Sequence, residues 1–123
     1  MANPNIVAVT SIYGNTSYLI PSTTAATTWT ALTPATGTVN KIDNIVASNV
    51  TASAVAVTVS INSATGGAGT AYRIAYQISV PANASLVIVD KTTALYVGEA
   101  QSIVVTVATA SALELTASYE AIS

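Results

Sequence analysis

The stretch AVAVTVSIN, residues Ala54–Asn62, alternates without interruption between two kinds of side chain. Val55, Val57, Val59 and Ile61 fall on one side, and Ala56, Thr58 and Ser60 on the other. A period of two sends successive side chains to opposite faces of an extended strand, and β-branched residues suit that pleated surface. The same period recurs in TAYRIAYQISV, residues 70–80, where Tyr72, Ile74, Tyr76, Ile78 and Val80 share one phase. Between the two stretches lies Gly66-Gly67-Ala68-Gly69, so the pair reads as a hairpin with a flexible tip. Its apolar phase, Val55, Val57, Val59, Ile61, Ile74 and Ile78, is the expected core, with Tyr72 and Tyr76 packed beside it.

Working outward, the period of two holds nearly everywhere. Strands are expected at Ile6–Tyr13, Thr28–Leu32, Val39–Val50, Ala54–Asn62, Ala71–Val80, Leu86–Asp90, Ile103–Thr109 and Leu113–Ala121, with shorter ones at Ser17–Ile20 and Leu95–Val97. The last long strand turns Leu113, Leu115, Ala117 and Tyr119 inward. Turn signals separate them: GNTS from Gly14, ATG from Ala35, NSATGGAG from Asn62, VPANAS from Val80 and YVGEAQ from Tyr96. Many short strands at this spacing, with no helical period, predict an all-β fold. The expected architecture is a single antiparallel β-sandwich, jelly-roll or immunoglobulin-like, of about eight strands. The domain runs over residues 1–123, with 1–6 as an extended arm and 22–38 as a long loop. Pro4 favours the extended form of that arm.

Composition narrows the chemistry. The 123 residues fit one domain, and only 7% of them are charged, against about 25% in a typical globular protein. With so little charge, Ser and Thr must cover much of the surface, and a neighbouring subunit is expected to cover part. The net charge is −2, and Lys41, Arg73 and Lys91 are the only basic residues. They are too few and too scattered to neutralise a run of phosphates, so no nucleic-acid partner is expected. The longest apolar runs, such as Leu86–Val89, fall far short of the ~20 residues that span a bilayer, so no membrane partner is expected either. The opening MANPNIVAVT lacks a basic stretch followed by a long apolar core and does not read as a signal peptide. Synthesis in a cytoplasm, without export by that route, is the expectation.

The chain has neither His nor Cys. Nucleophilic catalysis of the Ser-His-Asp or Cys-His kind therefore lacks its proton acceptor, and the usual zinc ligands are missing. The acids are Asp43, Asp90, Glu99, Glu114 and Glu120, with no cluster in one loop of the kind calcium needs. Asp90 and Glu99 bracket KTTALYVG and are a candidate pair for approach at a sheet end, although solvated charges at strand ends is the simpler reading. No enzyme activity, cofactor or metal is expected. Trp29, set among threonines in TTWTAL, has no aliphatic companions in phase and reads either as core or as an exposed anchor for a partner. The sequons NTS, NVT and NAS carry weight only in a secreted chain.

Four stretches taken together carry a resemblance: MANPNIVAVTSIYGNT at the start, KIDNIVASNV in the centre, VPANASLVIVDKTTALYVGEAQ, and the ending SYEAIS. They resemble small virion structural proteins of tailed bacteriophages, most nearly those of phages that infect cyanobacteria. The similarity runs from Met1 to Ser123, and the one departure is Gly98-Glu99-Ala100 where an acidic GD-like turn is expected. It implies a structural part of a phage particle, assembled in the host bacterial cytoplasm and located in the virion. The first expectation is a capsid decoration (cement) protein that binds the outer head and reinforces contacts between major capsid subunits. The alternative is a tail, neck or fibre-associated protein, and a more distant one is an immunoglobulin-like adhesin module. The expected partners are the major capsid protein and further copies of the chain, a trimer before a dimer. The expected partner-binding residues are Ala2, Asn3, Pro4, Asn5 and Trp29, which lie outside the cleanest strands.

Overall fold

The computed structural model describes residues 4–123, which leaves Ala2 and Asn3 of the expected contact set outside the described residues. Nine strands follow one another: β1 (Ile12–Leu19), β2 (Thr27–Thr28), β3 (Val39–Asn49), β4 (Val55–Asn62), β5 (Ala71–Val80), β6 (Ser85–Val89), β7 (Leu95–Val97), β8 (Ser102–Val107) and β9 (Leu113–Ile122). They form two antiparallel sheets. The first has the order β1-β9-β3-β6, with β7 also pairing β3, and the second has the order β2-β8-β4-β5. With the short β7 set aside, the first strand pairs the last, the second the next to last, and so inward to β4 and β5. That nesting is one long hairpin rolled into a sandwich, which is the jelly roll. The immunoglobulin arrangement, with its different sheet order, is set aside.

The core lies between the sheets. From the first sheet come Ile42, Ile45, Ala47, Leu113, Leu115 and Ala117, and from the second Val55, Val57, Val59, Val80, Ile103, Val105 and Val107. A bulge in β3 at Asp43 and Asn44 keeps Ile42 and Ile45 on the inner face although they are three residues apart. The side-chain oxygen of Asn44 accepts the Ser118 N–H at 3.1 Å, so a side chain supplies an acceptor where the ladder shifts. Buried Asn49 closes the β3–β4 turn, donating to the Ser53 and Val80 carbonyls and accepting from Thr51. Among the described residues no buried side-chain polar atom lacks a partner.

Five expectations need correction. The first strand begins at Ile12, not Ile6, and runs straight through GNTS to Leu19, absorbing the expected turn and the short strand at Ser17–Ile20. Asn5 accounts for the late start, because its side chain accepts the Val7 N–H at 3.0 Å and closes a local turn that competes with strand pairing. The strand expected over Thr28–Leu32 is only two residues long, β2, and a 3-10 turn follows at Thr30–Leu32, so the 22–38 segment is not wholly loop. On β5 the period-two phase fails. Two register shifts against β4 put extra residues into this edge strand, and Gln77 takes a φ of 49°. Ile61 and Ile74 are only partly buried, and on this edge strand Ile78 is 42% exposed, Tyr72 61% and Tyr76 58%.

The glycine segment is the fifth correction. It does not project as a flexible tip but folds back over the outer face of the second sheet. Gly67 N donates to Ser102 Oγ at 3.0 Å, Ser102 Oγ donates to the Ala64 carbonyl at 2.7 Å, and Asn62 Nδ2 donates to the Gly67 carbonyl at 2.9 Å. Ser60, Asn62, Ser102 and Val104 are buried beneath it. Gly67 and Gly69 both have positive φ, and a Cβ on either would strike Thr28 or the Ser63–Ala64 segment. These glycines permit a close approach rather than motion.

Candidate interaction surface

The outer face of the first sheet and the segment that leads into it carry several exposed apolar side chains. Opposite the core-facing set, this face presents Ile12, Gly14, Thr16 and Tyr18 from β1, and Glu114, Thr116, Ser118 and Glu120 from β9. Lys41 on β3 stands between Glu120, at 3.8 Å, and Asp43, at 4.0 Å. All three side chains are partly solvated, so the pairs set polarity more than stability. One row across the face carries no charge: Tyr18, then Thr116, Val46 and Val87, with Tyr18 and Val87 exposed.

At the end of this face Ser11 exchanges hydrogen bonds with Ser123, bringing the two end segments together. Pro4 and Ile6 lie beside Val39 and Tyr96 and line a depression of about 260 Å³. Ile6 and Tyr96 are exposed there, Ile12 is exposed at the start of β1, and Val7, at the tip of the Asn5 turn, is 91% exposed. Isolated surface apolars need no explanation, but several at one end of the same sheet mark a surface suited to contact.

Trp29, the other expected contact, is not on this surface. Only 1% of it is exposed, and its ring is part of the core. Its backbone N–H donates to the Ile103 carbonyl at 2.8 Å, and the indole Nε1 donates to Ser17 Oγ at 3.0 Å. The core it joins is built mainly from strands remote in sequence, the inner residues of β8 among them, and so the threonine-rich surroundings hid its role. The reading of Trp29 as an exposed anchor is corrected. Val7 and Tyr96 are the surface apolars that sequence reasoning missed, while Ile6 closes the expected arm. The alternation of Ile6 with its neighbours had also placed it in a strand.

The carboxylates are dispersed into structural duties. Asp90 caps the 3-10 turn at Lys91–Thr93, accepting from Thr92 and Thr93, and these hydrogen bonds, that of the Thr92 hydroxyl first, hold its pKa below the ordinary 3.8. Glu99 is buried and accepts the Gly37 N–H at 2.6 Å. Each acid thus serves its own turn. Among the described residues no three His, Cys, Asp or Glu side chains group as metal ligands, and no helix is long and apolar enough to cross a membrane. A second depression, on the outer face of the other sheet, is lined by Thr24, Ala56, Thr58, Gln77 and Thr106 with Val107 and Ala108, a set with no titratable group.

No protein-family model matches the chain, and neither a curated protein nor a solved structure matches it.

Proposed function

We propose that this protein is a structural virion component, a decoration protein that binds the outer phage head and reinforces contacts between major capsid subunits. The observation that carries the reading is the exposed apolar pair Ile6 and Tyr96 at the Pro4 depression, with Val7 and Ile12 also exposed at this end of the first sheet, on a chain with very little charge. A surface of this kind favours lasting contact over solvation. The stretches that resemble small phage structural proteins, MANPNIV and SYEAIS best of all, end in the two segments that meet at Ser11 and Ser123. The jelly roll agrees by analogy, since it recurs in viral capsid domains, although a fold by itself assigns no function. Binding at many equivalent sites lets a modest contact matter, because a ligand that binds only the intact shell stabilises it by mass action.

The test is occupancy. Purified protein added to undecorated heads should bind at saturable, symmetry-related positions visible in a cryo-EM map. Removing Ala2 to Asn5, or changing Val7→Asp, should lower that occupancy. Stripped heads that bind none of the protein, or co-purification with tails alone, would replace this reading with the tail-associated one.

A further inference from the structure

A sandwich of two open sheets has four edges, and three of them here are blunted. On one side of the first sheet β6 and β7 are short, with five and three residues. In the second sheet β2 has two residues, and β5 is broken by two register shifts. Short strands and bulges are the usual ways to keep an edge from pairing with another chain. The fourth edge, β1, has none. Its eight residues, IYGNTSYL, pair β9 in unbroken register and include no proline and no charge.

The phase of β1 fixes which of its groups face outward. Ser11 and Ser123 exchange both backbone hydrogen bonds, so in this register the odd residues of β1 point their N–H and C=O at β9. The even residues, Ile12, Gly14, Thr16 and Tyr18, therefore point theirs away from the sheet, and all four are exposed. Among the described residues no further strand pairs this side.

We propose that β1 is a self-association edge, through which two copies of this chain pair antiparallel across a twofold axis at Asn15. A twofold axis normal to the sheet brings residues of equal parity opposite each other, and only an axis at Asn15 uses all four outward residues within the strand. Ile12 then meets Tyr18 of the second copy, Gly14 meets Thr16, and each pair exchanges two main-chain hydrogen bonds. Apolar Ile12 and Tyr18 lie side by side on the outer face, the kind of cross-strand pair that adds stability. Asn15 faces its own copy, with Cα atoms at about 4.5 Å, as in any non-hydrogen-bonded pair. Two four-stranded paths become one continuous sheet. The occupant is a second copy because the strand complements itself in register, charge and hydrogen-bonding phase. This inference stands apart from the shell-binding reading, and it replaces the trimer expected from sequence with a dimer.

The test uses the whole chain. Sedimentation across a micromolar concentration series should give the mass of two chains. Thr16→Pro removes an N–H that faces outward and has no partner within the sheet, so it should halve that mass while leaving the β circular dichroism unchanged. Thr16→Lys, which keeps the backbone intact, should do the same by placing a charge at each joint. The protein has no cysteine, so Asn15→Cys introduces a single thiol, and Cα atoms at about 4.5 Å fall within disulfide range. Mild oxidation should cross-link Asn15→Cys to a reducible dimer and leave the exposed control Ala110→Cys largely uncoupled. A single-chain mass throughout the series would overturn the proposal, as would a dimer that neither Thr16 variant weakens or equal cross-linking of the two cysteine variants.

Discussion

The indole Nε1 of Trp29 donates to Ser17 Oγ at 3.0 Å, a bond that links the residue after β2 in one sheet to β1 in the other. It is a side-chain tie between the sheets at the edge where β1 lies. Ser17→Ala leaves the indole N–H without its acceptor and is expected to destabilise the fold by about 1 kcal/mol, the low end of the range because Ser17 is only half-buried. Trp29→Ala removes the largest core side chain and is expected to cost about 3–5 kcal/mol. Denaturant titration measures both. Trp29 is the only tryptophan, so its fluorescence reports the Ser17 variant directly.

Val57 and Ile78 stand opposite each other across β4 and β5, but only Val57 is fully buried. Val57→Asp should cost several kcal/mol, enough to unfold a marginal domain, because an unpaired charge enters the core. Ile78→Asp should be far milder. Equal loss of melting temperature in the two variants would contradict the bulged β5.

The difference between those two residues marks how far the sequence could be read. Strands over Ala71–Val80 and Leu95–Val97 were legible to the residue, and β3 and β9 nearly so, because alternation and flanking turn residues agree there. What stayed hidden depends on partners remote in sequence. Gly14-Asn15-Thr16-Ser17 has turn chemistry and is held extended only by its ladder with β9. The register shifts that break the alternation of β5 have no mark in its sequence. Of the expected contact residues, Pro4 and Asn5 lie at the surface end of the first sheet, whereas Trp29 was misread because the core it joins is built mainly from strands far along the chain.

Gly67→Ala and Gly69→Ala should each destabilise by more than about 1 kcal/mol, since each adds a Cβ at positive φ against an occupied position. Gly14→Ala is the contrast. Nothing lies within 4 Å of its Cβ position, and thermal melting should show no loss.

The Asp90 cap gives a pH signature. Its pKa is lower folded than in the open chain, so its contribution is fully present above the ordinary value of 3.8 and is lost as pH falls through the lowered one. Asp90→Ala should melt below the parent at neutral pH, and the gap should close as pH falls below 3.8 and through the lowered value. Asp90→Asn can still accept from Thr92 and Thr93, so it should hold most of the stability and show a flatter acid limb. A gap that stays constant with pH would assign the effect to packing instead.

The nesting of the strands also imposes an order in time. β4 and β5 are joined by a short loop and can close first, whereas β1 and β9 join positions 12 and 122. Closing so wide a separation in an open chain is entropically unfavourable, but each inner pairing shortens the span that the next must cross. Refolding is therefore expected to be slow, in the millisecond-to-second range of non-local β topologies. The strand that completes each molecule is then the same one whose far side remains open, so a chain would finish its own fold before it offered an edge to another.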